Sequence, residues 1–569
     1  MKSRLRSFLA SFALVATFAL APAVASAQAY IGRPKLIVLV VIDQFRGDYL
    51  NRDHDKFKGH GFRIFTDEGA WFTDCYYDYG NTKTAPGHAT LGTGAYTDGH
   101  GIETNEWWDA ARSYEHKVSS VEDERYQLVD VPAASIPANQ PGAPADAAKY
   151  LIGSSPRNLR ATTFGDELRL ATQGRARVFG VSLKDRAAIL PVGQSANGAF
   201  WIDTASGSFT TSTYYMEHLP EWAKAFNDGG HAAAAASEAK VEGTTQFYEL
   251  VGHTPVANRY ELDFAKALIE GEKLGQGDAT DFLVVSLSPN DIQGHQFGPD
   301  SESQEEMILS LDRDLDGFYS WLDKTIGLKN VWLALSADHG IAPIPSEAAK
   351  LGIHAARLNM QTVYTQLNAK LSERYSRGKQ EQYILPGSDL PYITLDRRAF
   401  EKAGVDEKTA EEAVAALLPE LVASQAPQPT EPLPLQHRLA PGPQFVGAYT
   451  RLTLASGQLP PSEWGRLLAH SYADHGNWFV FLALGAYQMS GGPNSDGTTH
   501  FSPWSYDRHV PLAFYGAPFV PGEYHERVAP VDLAATLASL AGVNQPSAAV
   551  GRVLTEAIKP VKQPVAAER

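Results

Sequence analysis

The 569 residues are 44% apolar and 20% charged, the composition of a folded globular chain rather than of a disordered segment or a membrane bundle. That length suits one large catalytic domain with insertions, or about two to four ordinary domains. A formal net charge of −16 argues against a broad nucleic-acid-binding surface, although metals and a few basic residues can reverse the field locally for an anionic substrate.

The chain begins with a basic stretch (Lys2, Arg4, Arg6), an apolar run from Phe8 to Val24, and the small-residue site Ala25-Ser26-Ala27 before Gln28. This order predicts a cleaved signal peptide over 1–27 and a periplasmic or secreted mature protein. The competing reading is a retained anchor. Cys75 is the single cysteine, which excludes an intramolecular disulfide. Its aromatic setting (Cys75-Tyr76-Tyr77) reads as a packed thiol rather than a nucleophile.

Short continuous apolar runs follow, each ending in polar residues, as buried parallel strands do. Leu36 to Ile42 ends at Asp43, and Val178 to Leu183 ends at Lys184. Phe282 to Leu287 leads to Asp291, and Val331 to Leu335 stops before Asp338 and His339. Phe479 to Leu484 and Leu512 to Tyr515 read as further core strands, and helical patterns lie at Phe164 to Thr172, Glu305 to Leu322 and Val531 to Leu540. The expected fold is α/β: a central, mostly parallel sheet flanked by helices, with inserted subdomains. The catalytic core is expected over 28–350 and 471–569. An irregular insertion interrupts it near 106–160, and a subdomain or lid over 351–470 includes a Pro-rich run from Pro427 to Pro443.

Reactive residue types collect at the C-terminal ends of these strands, where open α/β sheets bind ligands. Asp291-x-x-x-His295 pairs an oxygen and a nitrogen ligand at a spacing that suits zinc, although solvated loop charges have the same spacing. In Asp338-His339-Gly340 the glycine allows a sharp turn that aims both side chains at one point. Asp43 follows the most apolar strand, where an unpaired buried carboxylate is costly; capping a helix is its other explanation. Thr84-Ala85-Pro86-Gly87-His88 reads as a compact turn headed by a hydroxyl, which either caps the next helix or, activated by metal, acts as a nucleophile. Lys184-x-Arg186 places two cations on one side of an extended segment, a pair suited to phosphate oxygens.

Assembled, these motifs resemble the bacterial alkaline phosphatases of the PafA type, the threonine-nucleophile branch of the alkaline phosphatase superfamily. The matching segments are Val41 to Asp48, Thr82 to His88 with Thr93-Gly94, His100-Gly101-Ile102, Asn105, Ser182 to Arg186, Asp291 to His295, Asp338-His339-Gly340, His500 and Val531 to Leu537. They fall in the family's order from about residue 35 to 555. The resemblance implies hydrolysis of phosphate monoesters through a phosphothreonine formed on Thr84, at a site with two Zn2+ ions. Asp43, Asp338 and His339 would hold the zinc at Thr84. Asp291, His295 and His500 would hold the one at the leaving oxygen, while Asn105, Lys184 and Arg186 grip the phosphoryl oxygens. Phe501 follows His500 where the pattern favours a small residue, usually glycine, so His509 and His475 are the alternative ligands. Asp474-His475-Gly476 repeats the Asp-His-Gly pattern without an equally clear strand before it. His88 and His100 read as structural hydrogen-bonding groups.

The main alternative is a nucleotide pyrophosphatase/phosphodiesterase of the same superfamily, against which the Lys184/Arg186 pair argues because a monoester dianion offers a further charged oxygen. A sulfatase is disfavoured, since neither Cys75 nor Thr84 lies in a C/S-x-P-x-R pattern. A non-catalytic phosphate-binding relative is the remote third reading. Small-molecule monoesters are the expected partners, with no stable nucleic-acid or membrane partner after signal cleavage. A monomer is favoured, and Ca2+ on the Asp-rich loops is a possible addition.

Overall fold

The computed structural model describes residues 33–110, 112–132, 135, 151–241, 246–387, 390–424, 445–491 and 495–560. The expected signal segment 1–27 and the Pro427 to Pro443 run lie outside these residues. Among the described residues, no helix is long and apolar enough to cross a membrane.

The centre is the strand Leu36–Ile42, whose sequence LIVLVVI is buried at every position. A strand covered on both faces needs apolar side chains on both, and its branched residues suit the pleated conformation. It pairs in parallel with Asp281–Leu287 on one side and Val331–Ser336 on the other. Val178–Ser182 and Gly198–Ile202 extend the parallel part beyond Asp281–Leu287. Leu512–Tyr515 runs antiparallel to Val331–Ser336, and Ala70–Phe72, Gly522–Tyr524 and Phe209–Thr210 complete a nine-stranded sheet. Helices pack on this sheet, among them Phe164–Ala171, Pro255–Gly271, Glu302–Thr325 and Val531–Ala541.

Register fixes the site. Val41 lies level with Ser286 and Ser336, and Ser286 lies level with Ser182. Four parallel strands therefore end together, and the segments carrying Asp43, Lys184, Asp291, Asp338 and His339 leave from one edge.

Two expectations are corrected here. Phe479–Leu484 does not join the central sheet; it is the middle strand of a separate three-stranded antiparallel sheet with Tyr392–Thr394 and Phe445–Thr450. The strand is buried at all six positions, and burial on both faces looks the same in sequence whichever sheet supplies the neighbours. It shares a second apolar core with the helices Met360–Tyr375 and Glu407–Ser424. The described parts of the stretch near 106–160 are also less irregular than its composition suggests. Glu106–Asp109 pairs with Ser113–Ser119, and Glu122–Gln127 pairs with Ile152–Ser154.

Candidate active site and metal centre

Thr84 opens the helix Thr84–Thr93 instead of a turn. Pro86 is tolerated because backbone N–H groups in the first helical turn have no intrahelical acceptor. The N-cap is Lys83, without a side-chain capping bond, so Thr84 does not cap this helix. Among the described residues its hydroxyl has no hydrogen-bond partner. Gly87 lets the helix press against the loop after Val331–Ser336, since a Cβ there would meet the Asp338 carbonyl oxygen at 2.3 Å. Gly340 has the same use, with the Tyr506 carbonyl oxygen 2.2 Å from where its Cβ would be. Its φ is not positive, so close approach, rather than a special turn dihedral, explains this glycine.

Asp291 and His295 lie on the helix Pro289–Phe297, not in a loop. Four residues apart, they share one helix face, with His295 Nε2 3.1 Å from Asp291 Oδ1. His500 Nε2 is 3.9 Å from the same oxygen, and the His500 ring stacks on His339 at a centroid distance of 3.6 Å. His339 Nε2 lies 3.5 Å from Asp43 Oδ1 and 3.6 Å from Asp338 Oδ2. Ligand atoms of Asp291, His295 and His500 fall within 4.8 Å of one another, as do those of Asp43, Asp291 and His339. Asp291 thus borders both groups.

Each of these histidines is held by its other nitrogen. His295 Nδ1 donates to the Thr498 carbonyl (2.9 Å), His339 Nδ1 to that of Gly340 (2.9 Å) and His500 Nδ1 to that of Thr82 (2.6 Å). A donating Nδ1 leaves Nε2 of the neutral ring with a free lone pair, the arrangement of a metal ligand. Burial pushes His339 down to about 4 and, helped by His339 and His295 nearby, drives His500 well below the usual histidine range.

Asp43, Asp291 and Asp338 are buried within the same crevice. Burial, with Asp291 and Asp338 nearby, raises Asp43 to about 7. Burial also works against the Asp291 anion, but Lys184 and His295 outweigh it and hold that carboxyl well below its usual range. Asp43 Oδ1, Asp338 Oδ2 and His339 Nε2 are buried without a hydrogen-bond partner among the described residues. Orphaned oxygens and a bare imidazole nitrogen facing one space are a donor set that fits a divalent transition metal.

Lys184 Nζ sits 2.6 Å from both Asp43 Oδ2 and Asp291 Oδ2. It is the N-cap of the short helix Asp185–Ile189, so the Lys184-x-Arg186 segment is not extended as expected. Arg186 keeps a partly exposed guanidinium 3.9 Å from Asp185. Asn105 accepts from the Ala85 N–H through Oδ1 at 2.8 Å, which fixes its amide beside Thr84.

The alternative ligands pack against other groups. His509 Nε2 bonds the Thr73 carbonyl at 2.9 Å, and its ring stacks on Tyr76. His475 stacks on Trp107. His88 bridges the Thr84 carbonyl and Ser286 Oγ, and His100 bonds Thr90 and the Ile102 N–H. Cys75 is buried, which raises its thiol well above the usual range.

Two residues escape sequence reasoning. Gln44 donates its backbone N–H to Asp338 Oδ1 (3.0 Å) and its side-chain amide to Asp291 Oδ1 (2.6 Å). Glu261 accepts from the Leu183 N–H at 2.7 Å, and burial pushes it well above the usual carboxylate range. Glu261 has a signal, an acid on the apolar face of Pro255–Gly271; Gln44 lies in the matching segment Val41 to Asp48, but its residue type does not mark it as a bridge between two carboxylates.

Fold and site together define an α/β protein with a carboxylate–histidine crevice at the C-terminal edge of a parallel sheet. The family profile described as type I phosphodiesterase / nucleotide pyrophosphatase matches residues 37–440. The alkaline phosphatase PafA of Elizabethkingia meningoseptica is 32% identical, over 92% of this chain and 95% of that protein. The alkaline phosphatase PhoV of Synechococcus elongatus is 31% identical, over 93% of this chain and 94% of its own. A crystal structure of wild-type PafA matches with a TM-score of 0.78 at 30% identity, covering 93% of this chain and 100% of that one. The chain belongs to the type I phosphodiesterase/nucleotide pyrophosphatase family, in the branch of the PafA-type alkaline phosphatases.

Proposed function

We propose that this chain is an alkaline phosphatase, a phosphoric monoester hydrolase that works through Thr84 at a two-zinc site. The observation that carries the reading is the convergence of Asp43, Asp291, His295, His339 and His500 on one crevice, with Asp338 Oδ2 3.6 Å from His339 Nε2 and bare ligand atoms facing it. The PafA and PhoV relatives support monoester hydrolysis.

Asp43, Asp338 and His339 would hold one zinc and Asp291, His295 and His500 the other. Bound there, zinc supplies Lewis-acid stabilisation to the attacking and leaving oxygens of an in-line displacement. Thr84 Oγ1 bonds to phosphorus as the ester P–O bond breaks; the hydroxyl proton passes to solvent water, and the departing oxygen takes a proton from solvent to leave as the alcohol. Water then cleaves the phosphothreonine, releasing phosphate and restoring the hydroxyl. Thr84 begins a helix, so the phosphoryl dianion sits at the positive end of the helix dipole. Asn105, Lys184 and Arg186 hold the non-bridging oxygens, and Lys184 reaches them on a flexible stem from its place between the carboxylates.

The basic, apolar and A-x-A pattern at the N-terminus supports export to the periplasm or beyond. A monomer acting on small esters, with calcium confined to acidic loops, completes the proposal, as does a second unit inserted in the catalytic core, running from about residue 351 and including the strand Phe479–Leu484 beyond the expected bound at 470.

Metal analysis combined with rates on a matched monoester and diester tests the reading. Two transition-metal ions per chain and faster monoester turnover are expected. Thr84→Ala should abolish turnover, and full activity in that variant overturns the mechanism. Lys184→Ala and Arg186→Ala should damage monoester hydrolysis far more than diester hydrolysis; equal losses would move the assignment to a phosphodiesterase.

A further inference from the structure

Phe501 has a backbone φ of +90°, in the region that favours glycine and penalises any residue with a Cβ. A strained residue persists when its surroundings hold it there, and such residues cluster at functional sites. The Phe501 ring is partly exposed, and it backs onto the second apolar core. Its centroid lies 6.2 Å from the His500 ring, and Lys83 Nζ stands 5.1 Å from it. Lys83 precedes Thr84. The ring therefore stands near both a cation beside the proposed nucleophile and a histidine on the proposed leaving-group side.

We propose that Phe501 determines specificity, giving the leaving-group side an apolar wall that favours phosphate monoesters of aromatic alcohols over those of small alkyl alcohols. This inference rests on the phosphatase reading above. Planar groups stack or pack edge-on against such a ring, and glycine at the same place would offer only backbone. The strain that glycine would remove is thus retained for a side chain that meets the substrate.

Aryl esters also leave more easily than alkyl esters, so binding of non-hydrolysable analogues separates recognition from chemistry. The inhibition constants of phenylphosphonate and methylphosphonate are measured for the metal-loaded wild type and for Phe501→Leu, which keeps apolar volume without the ring. Phenylphosphonate should weaken about tenfold and methylphosphonate less than about twofold. Phe501→Gly should melt at a higher temperature than Phe501→Ala, because only glycine relieves the backbone. Equal weakening of both phosphonates, or a glycine variant no more stable than the alanine one, overturns the inference. A wild type that binds neither phosphonate and hydrolyses no monoester fails at the earlier step, the phosphatase assignment.

Discussion

Gln44 joins the two proposed ligand sets. Its main chain holds Asp338 and its side chain holds Asp291, and it does so at a φ of +64°. The approach is so close that a Cβ on Gly294 would lie 2.1 Å from Gln44 Oε1. Gln44→Gly suits this φ and keeps the backbone donor, so the substitution isolates the amide. Loss of such supporting bonds typically costs about 10–100-fold in metal affinity. Chelator competition on Gln44→Gly should show zinc held that much more weakly with circular dichroism unchanged, and wild-type affinity would refute the role. The choice of His500 as the proposed last histidine ligand belongs to the same scale. His500 reaches the cluster because Thr82 orients it and its ring lies flat on His339, whereas His509 is turned away toward Thr73.

The central strand and the helix Glu407–Ser424 behave differently as elements. Leu39 is fully buried in the middle of Leu36–Ile42. Leu39→Ala should destabilise the catalytic unit by about 2–5 kcal/mol in chemical denaturation, through lost transfer energy and the cavity left behind. Glu411 in the helix is buried, which raises it to about 8 although Leu452 and Phe479 donate N–H groups to it. The folded state therefore keeps a proton that the unfolded state releases near the ordinary value of 4.5. Its stabilising contribution is complete below about pH 4.5 and is lost as pH rises through about 8. Denaturation midpoints from pH 5 to 9 should fall more steeply for wild type than for Glu411→Met; parallel curves would count against a protonated Glu411.

Across the whole molecule, the crevice gathers Asp43, Asp291 and Asp338 with Lys184 as the cation placed directly between two of them. Cations that bind the folded state alone stabilise it by mass action, about 2.7 kcal/mol for a site at one-hundredfold over its dissociation constant. A chelator should lower the melting temperature and zinc should restore it, and an unchanged melting curve would argue against a metal centre built into this fold.

The parallel strands are legible from their continuous apolar runs, and so is the concentration of Asp, His and Lys at their ends. Both are local consequences of burying a sheet on two faces while leaving its edge to bind a ligand. Motif order adds the family. Other features depend on contacts between residues far apart in the chain. Phe479–Leu484 has the composition of a central strand, but its partners, Tyr392–Thr394 and Phe445–Thr450, assign it to the second sheet. Likewise, Asp291 borders both ligand groups, Lys184 lies between carboxylates, and Gln44 spans Asp338 and Asp291, because register brings separate loops to one edge. Residue type and spacing carry the chemistry each side chain can perform; which atoms come within bonding distance is set by the packing of the strands and helices that hold them.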